Sequence, residues 1–217
     1  MDACGCDKGF EIFDRASAEA DLERYRTKGP DTSTRRLLDM IRARGVRGAN
    51  VLDIGSGIGV IDHELLRDGA GHALLVDASA PSLEAARNEA RRRGQLDRVD
   101  FVDGDFVSRA DAIDPADIVT LDRVVCCYPD MESLVRLSAS RARFLYGLVL
   151  PRDRAILRLG LRVMNLWFRL RGMAYRGFLH PNARVDAIAA EAGLRPAAED
   201  LTFVWRIVLY ERGSASA

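Results

Sequence analysis

Apolar residues fall along the chain as short unbroken runs separated by longer stretches of mixed character. Val51, Leu52 and Ile54 form one run and Ala73–Val76 the next. With later runs they predict strands near 50–54, 73–77, 99–103, 117–122 and 144–149. Ile58 to Leu66 predicts a helix, as does the Ala-, Glu- and Arg-rich stretch 81–93, which opens on Pro81, a residue suited to a first helical turn. Two more helices, 14–26 and 31–44, precede the first strand, broken at Pro30-Asp31 with Thr32 or Ser33 as the expected cap. Residues 1–12 show no period. Residues 184–217 hold a helix and two strands, Leu194–Leu201 and Thr202–Tyr210. Strands alternating with helices require a parallel sheet covered on both faces, hence an α/β fold.

The first strand runs into Gly55-Ser56-Gly57-Ile58-Gly59, where every second side chain is missing. Such a turn accepts unusual dihedrals, lets a ligand approach the backbone, and opens a helix N-terminus. A dinucleotide turn has its third glycine or alanine one position later, where Val60 stands here. Asp53, before the turn, would repel a pyrophosphate and suits an amino group. Asp77 ends the second strand about 20 residues on, where an acid accepts from ribose hydroxyls. The ligand these residues describe is a nucleoside that carries an amine and no diphosphate.

Residues 51–130 resemble a class I S-adenosylmethionine-dependent methyltransferase. Four motifs stand in order: Leu-Asp-Ile-Gly-Ser-Gly-Ile-Gly (52–59), Val-Asp-Ala-Ser (76–79), Gly-Asp-Phe (104–106) and Asp-Ile-Val-Thr-Leu-Asp-Arg-Val (117–124). The resemblance implies a Rossmann-like, seven-stranded, mostly parallel sheet whose last two strands form an antiparallel hairpin. It implies one domain over 1–217: a helical cap (1–45), a cofactor-binding core (46–150), a lid insertion after the fifth strand (151–183), and a C-terminal helix and hairpin (184–217). S-adenosyl-L-methionine is the implied cofactor and S-adenosyl-L-homocysteine the product.

Site roles follow from the same resemblance. Asp53 and the backbone of Gly55, Ser56 and Gly57 are expected to hold the methionine moiety. Asp77 takes the ribose, Ala78 packs on the adenine, Asp105 accepts from its amino group and Phe106 flanks the ring. The backbone of Leu121 and Asp122 faces the sulfonium. Tyr25 covers the methyl site as a catalytic candidate, and Arg26 offers its fork of donors to the methionine carboxylate. Tyr128 and His180 are the other catalytic candidates, as bases. His63 and His72 are read as helix and loop positions without a role. Methyl transfer asks chiefly for alignment and dryness, so a missing base does not argue against activity.

Composition narrows the partners. Formal net charge is zero over 217 residues, which gives no field to draw in nucleic acid. The fourth strand leads into Asp122-Arg123-Val124-Val125, not the Asn/Asp-Pro-Pro-Tyr segment of base methylases. No run is long and apolar enough to span a membrane, and the N-terminus lacks the pattern of a signal peptide. The expected location is cytoplasmic, with free thiols. Cys4 and Cys6 would meet Cys126 and Cys127 if the N-terminal segment folded back, but the spacing matches no standard zinc site and no metal is predicted.

The acceptor is less defined. Residues 123–130, Arg-Val-Val-Cys-Cys-Tyr-Pro-Asp, are similar to the Asp-Val-Leu-x-His-Tyr-Pro segment of magnesium-protoporphyrin O-methyltransferases, with Arg123 in place of the acid and Cys127 in place of the histidine. Residues 152–176 hold seven arginines and one acid, Asp153. Their apolar face is too wide for a helix packed on one side. A lid over a large apolar or anionic acceptor is the first reading of this helix, a homodimer contact the second, and peripheral contact with an anionic membrane the third. The expected activity is methyl transfer to a small molecule, most directly at oxygen, by a monomer or homodimer. The alternatives are a tetrapyrrole carboxyl methyltransferase and a non-catalytic cofactor-binding protein.

Overall fold

The computed structural model describes residues 14–173 and 175–213. Seven strands form one sheet: β1 (Asn50–Ile54), β2 (His72–Asp77), β3 (Val99–Asp103), β4 (Ala116–Asp122), β5 (Ala142–Pro151), β6 (Leu194–Leu201) and β7 (Trp205–Arg212). Their order is β3-β2-β1-β4-β5-β7-β6. The first five pair in parallel, and β7 runs antiparallel to both β5 and β6. The strand order turns back between β1 and β4, which opens a crevice at their C-terminal ends where ligands of such sheets bind.

Period-two alternation builds both cores. Val51, Ala73, Leu75, Leu145, Val149, Ile207 and Leu209 face one side, under α2 (Thr32–Arg42), α3 (Val60–Arg67) and α4 (Ala80–Arg92). Leu52, Ile54, Val76, Tyr146, Leu148, Val208 and Tyr210 face the other, under α5 (Phe106–Arg109), α6 (Met131–Arg141) and α8 (Asn182–Glu191). α1 (Arg15–Lys28) lies outside this sandwich. Its Ala18, Leu22 and Tyr25 pack on Ile58 and Ala85, which sets it over the edge of the crevice.

Local chemistry moves some expected boundaries. The cap of α2 is Asp31, whose Oδ1 accepts from the backbone N–H of Ser33 at 3.0 Å and of Thr34 at 3.1 Å. A carboxylate in that place satisfies two orphan donors at once, which neither Thr32 nor Ser33 can do. β7 begins at Trp205 because Thr202–Val204 make a turn in which Thr202 Oγ1 accepts from Trp205 N at 2.8 Å. His72 opens β2 and does not lie in a loop.

The 152–176 region forms α7 (Ala155–Leu170), and no residue of that helix is buried. It is tied down through Asn165, whose side-chain amide donates to Gly177 O at 2.8 Å and accepts from Gly177 N at 3.0 Å. Its widest apolar face points outward, and none of its residues lines the crevice described below.

Leu37 of α2 is fully buried and packs where Gly147 of β5 leaves room. Leu37→Ala is expected to cost about 2–5 kcal/mol of stability, the range for large-to-small core changes. Urea unfolding checks this; a loss below about 1 kcal/mol would mean that α2 does not pack on the sheet this way.

Candidate active site

The crevice holds a cavity of about 390 Å3 between the ends of β1, β2 and β4, closed from above by α1 and the start of α2. Gly55, Gly57 and Gly59 all sit at positive φ, between 55° and 74°. At Gly55 a Cβ would come within 2.3 Å of Val124, so the turn and the chain after β4 touch only because that side chain is absent. Gly57 N donates to Asp77 Oδ2 at 2.7 Å, and Ser79 N donates to Asp77 Oδ1 at 2.7 Å. The carboxylate at the end of β2 thus braces the glycine turn beside it. Burial pushes its pKa up, opposed by those two N–H donors.

Asp53 and Asp62 form a buried carboxyl pair beneath the turn. Strand alternation aims Asp53 toward the α3 side, where Asp62 stands in the first helical turn. Thr120 Oγ1 donates to Asp53 at 2.6 Å, and Asp62 faces Asp53. Burial raises both groups, Asp62 to about 7, and like charge raises Asp53 further. Two carboxyls so placed share a proton at neutral pH. Ser56 Oγ is buried without a partner among the described residues, and Ser56 lines the cavity.

On the opposite wall, Asp31, Thr34, Asp122 and Arg123 interlock. Thr34 Oγ1 donates to Asp122, and the Arg123 guanidinium donates to Asp31 and, at 3.0 Å, to Asp122 Oδ1. Arg123 is the sole non-glycine at positive φ among the described residues, at 63°. Its N–H donates to Val149 O at 2.8 Å, and its ion pairs hold a conformation that long side chains disfavour.

Next in the chain, Cys127 lines the cavity. Its Sγ lies 3.8 Å from Cys126 Sγ and 3.2 Å from the Tyr175 hydroxyl. Contact with Cys126, then the Tyr175 hydrogen bond and the nearby Arg123 charge, bring its pKa down to about 7 against the effect of burial. Cys126 is pushed the other way. Cys4 and Cys6 lie outside the described residues, and no group of three or more metal-ligating side chains occurs among those described.

The remaining expected site residues divide. Tyr25, Asp53, Gly55, Ser56, Gly57, Asp77, Ala78, Asp105, Phe106, Asp122 and Tyr128 line the cavity. Arg26, Leu121 and His180 do not. Arg26 donates twice to the buried Glu89, which also draws Arg92 and Arg93 and sits far below the usual carboxylate range as a result. The cations that line the cavity are Arg24, paired with Asp21, and Arg123. The Leu121 side chain is in the core.

The candidate bases are engaged as well. Tyr25 donates its hydroxyl to Glu64 at 2.9 Å, and burial with the Glu64 charge raises its pKa far above neutral. Burial and Asp105 do the same to Tyr128. His180 Nε2 donates to Tyr128 O at 3.0 Å, and burial lowers the pKa of the ring. Asp105 caps α5 by accepting from Ser108 N at 3.1 Å. His63 is buried under the turn with a pKa lowered by burial to about 4.

Residues 46–148 match the protein family described as methyltransferase domain. This segment is a methyltransferase domain. A ubiquinone biosynthesis O-methyltransferase of Pectobacterium atrosepticum is 35% identical over 99 residues, 45% of this chain and 40% of that protein. A ribosomal protein L11 methyltransferase of Marinobacter nauticus is 36% identical over 69 residues, 32% of this chain and 23% of that one. The chain therefore spans less than half the length of these curated relatives. The crystal structure of magnesium protoporphyrin IX methyltransferase from Synechocystis PCC 6803 with bound S-adenosylhomocysteine superimposes with a TM-score of 0.66 and 17% identity, over 93% of this chain and 84% of that one. The fold is that of the class I methyltransferases, whose cofactor is S-adenosylmethionine. Asp62, Thr34, Asp31 and Cys127 had no role in the sequence-based expectations for the site. Only the oddity of Cys126-Cys127 after β4 offered a signal.

Two measurements follow from these groups. Asp53 and Asp62 bind a proton more tightly folded than unfolded, so their contribution to stability is full below about pH 4 and is lost as pH rises through about 7. Asp62→Asn is expected to flatten this slope and to raise stability at pH 8. An unchanged pH profile in urea unfolding would mean that the pair is not buried together. Iodoacetamide is expected to alkylate Cys127 with a midpoint near pH 7, and Tyr175→Phe to move it upward. A midpoint near 8.5, that of a free thiol, would contradict the contact.

Proposed function

We propose that the chain transfers the methyl group of S-adenosylmethionine to an oxygen of a small, largely apolar acceptor. The observation that carries this reading is the sign of the charge around the glycine turn. Six aspartates and two arginines line the cavity, and one of those arginines, Arg123, is already paired with two carboxylates. Such a wall repels a diphosphate and suits a cationic nucleoside.

S-adenosylmethionine supplies a methyl group already activated on a sulfonium. Asp77 takes the ribose hydroxyls, since each of its oxygens keeps a lone pair beyond the N–H it accepts. Ala78, Asp105 and Phe106 hold the adenine. Asp53 and the unpartnered Ser56 hydroxyl serve the methionine end, and Arg24 takes the place given to Arg26 for its carboxylate. The backbone of Leu121 and Asp122 faces the methyl group, with Tyr25 covering it through its ring.

The acceptor lies against Val124, Cys127, Tyr128 and Leu134, where the cavity wall is mostly apolar. Alignment and exclusion of water supply most of the rate. The Cys127 thiolate receives the proton of a hydroxyl acceptor. Tyr128 orients that acceptor, and His180 acts through Tyr128 by holding its carbonyl. A carboxylate acceptor needs no base, so a porphyrin propionate remains in the test panel on the strength of the fold similarity alone.

The test is S-adenosylhomocysteine formation with a panel of phenols, apolar carboxylic acids and porphyrin acids. Turnover with an oxygen acceptor is expected. With a hydroxyl acceptor, Cys127→Ser is expected to lower kcat about 100-fold, at the lower end of general-base effects. Cofactor binding without turnover on any acceptor would instead favour a non-catalytic binder.

A further inference from the structure

Among the described residues α7 is unlike every other helix of ten or more residues, because none of its sixteen residues is buried. Its exposed apolar residues follow one rule. Ile156, Leu159, Val163, Leu166 and Leu170 recur at alternating steps of three and four, a single straight stripe down the helix, and they are 63, 63, 61, 48 and 76% exposed. Trp167 widens the stripe at 48%. The opposite face holds Asn165, Leu161 and Phe168, and Asn165 and Phe168 tie the helix to Gly177 and Tyr175. A second exposed apolar group, Leu201, Phe203 and Val204, stands at the turn between β6 and β7, within reach of the start of α7. The Arg154 guanidinium stands 5.8 Å from the ring of Phe203, which is 65% exposed, next to Val204.

Charge marks what covers this surface. Residues 152–176 carry seven arginines and one acid in a chain whose net formal charge is zero. Arg158, Arg162 and Arg169 form a row along one edge of the apolar stripe, and α7 contains no Asp or Glu. Most arginines elsewhere on the surface are held by carboxylates. Among the described residues no carboxylate pairs with Arg154, Arg162, Arg169 or Arg171; Asp153 takes Arg158.

We infer that α7 and the β6–β7 turn dock flat on an anionic lipid bilayer. An interfacial helix buries one apolar face by a few ångströms while its arginines reach the headgroups, and a tryptophan at the boundary suits the same layer. α7 is about 24 Å long, and no helix among the described residues is long and apolar enough to cross a membrane. A second copy of the chain fits less well. Sixteen residues hold little more than two heptads, fewer than a coiled coil needs, and a full-length antiparallel pair would bring the Arg162 side chains of the two copies together with no acid between them. A closed lid fits less well again, since no α7 residue lines the cavity.

The experiment is flotation of the full chain with phosphatidylcholine vesicles, with and without one-third phosphatidylglycerol, while tryptophan emission is followed. Binding to the anionic vesicles alone is expected, with a blue shift that Trp167→Phe removes. Leu159→Glu with Leu166→Glu is expected to reduce binding at least tenfold, and Arg162→Gln with Arg169→Gln to weaken it and its salt dependence. Failure to float with anionic vesicles, equal binding to neutral ones, or a glutamate variant that binds like wild type would overturn the proposal. So would a wild-type dimer that the glutamate pair dissociates in sedimentation, which would assign the face to a second copy. Circular dichroism and S-adenosylhomocysteine affinity, both expected unchanged in the variants, report on the fold. If no form binds S-adenosylhomocysteine, the methyltransferase reading fails while the lipid result stands.

Discussion

The carboxylate of Asp77 is the contact on which the candidate site depends. It ends β2, one strand away from the glycine turn, and accepts an N–H from Gly57 on one oxygen and from Ser79 on the other. A turn with three positive-φ glycines carries the backbone entropy of glycine, and of its own side chains Ile58 packs beneath α1. The Asp77 brace supplies rigidity from the parallel register of β1 and β2, which sets Ile54 beside Val76. The same side chain also presents its remaining lone pairs to the cavity, so the group that shapes the turn is the group proposed to read the ribose.

Around that brace the chain concentrates negative charge where water is scarce. Asp53, Asp62, Asp77 and Asp122 are all raised by burial. Uncompensated carboxylates are costly in such a place, and they are relieved by proton sharing, by Thr120 and Thr34 hydroxyls, and by Arg123. A bound cation would relieve them further. A cationic nucleoside bound there, as proposed, would lower that electrostatic cost.

The sheet was legible because its physics is local. Runs such as Val51–Ile54 and Ala73–Val76 are buried on both faces, and alternate residues of β1, β2, β5 and β7 feed the two cores. The glycine turn and the acids of the four motifs were legible for the same reason: each sits at a strand end. What could not be read depends on partners distant in sequence. Arg26 pairs with Glu89, a buried acid 63 residues away that also holds Arg92 and Arg93. Asp62 matters because strand alternation turns Asp53 toward it, and nothing around position 62 marks it in sequence. The composition of α7 showed a helix with too much apolar surface, but only its attachment through Asn165 decides which side stays open.

The most direct test of the central claim is calorimetric titration of the chain with S-adenosylmethionine and S-adenosylhomocysteine, beside Asp77→Ala. Micromolar affinity, about −8 kcal/mol, is expected for the wild type, with at least a tenfold loss in the variant while its circular dichroism stays native. No binding by folded wild-type protein, or equal affinity in Asp77→Ala, would contradict the assignment of this crevice to the cofactor.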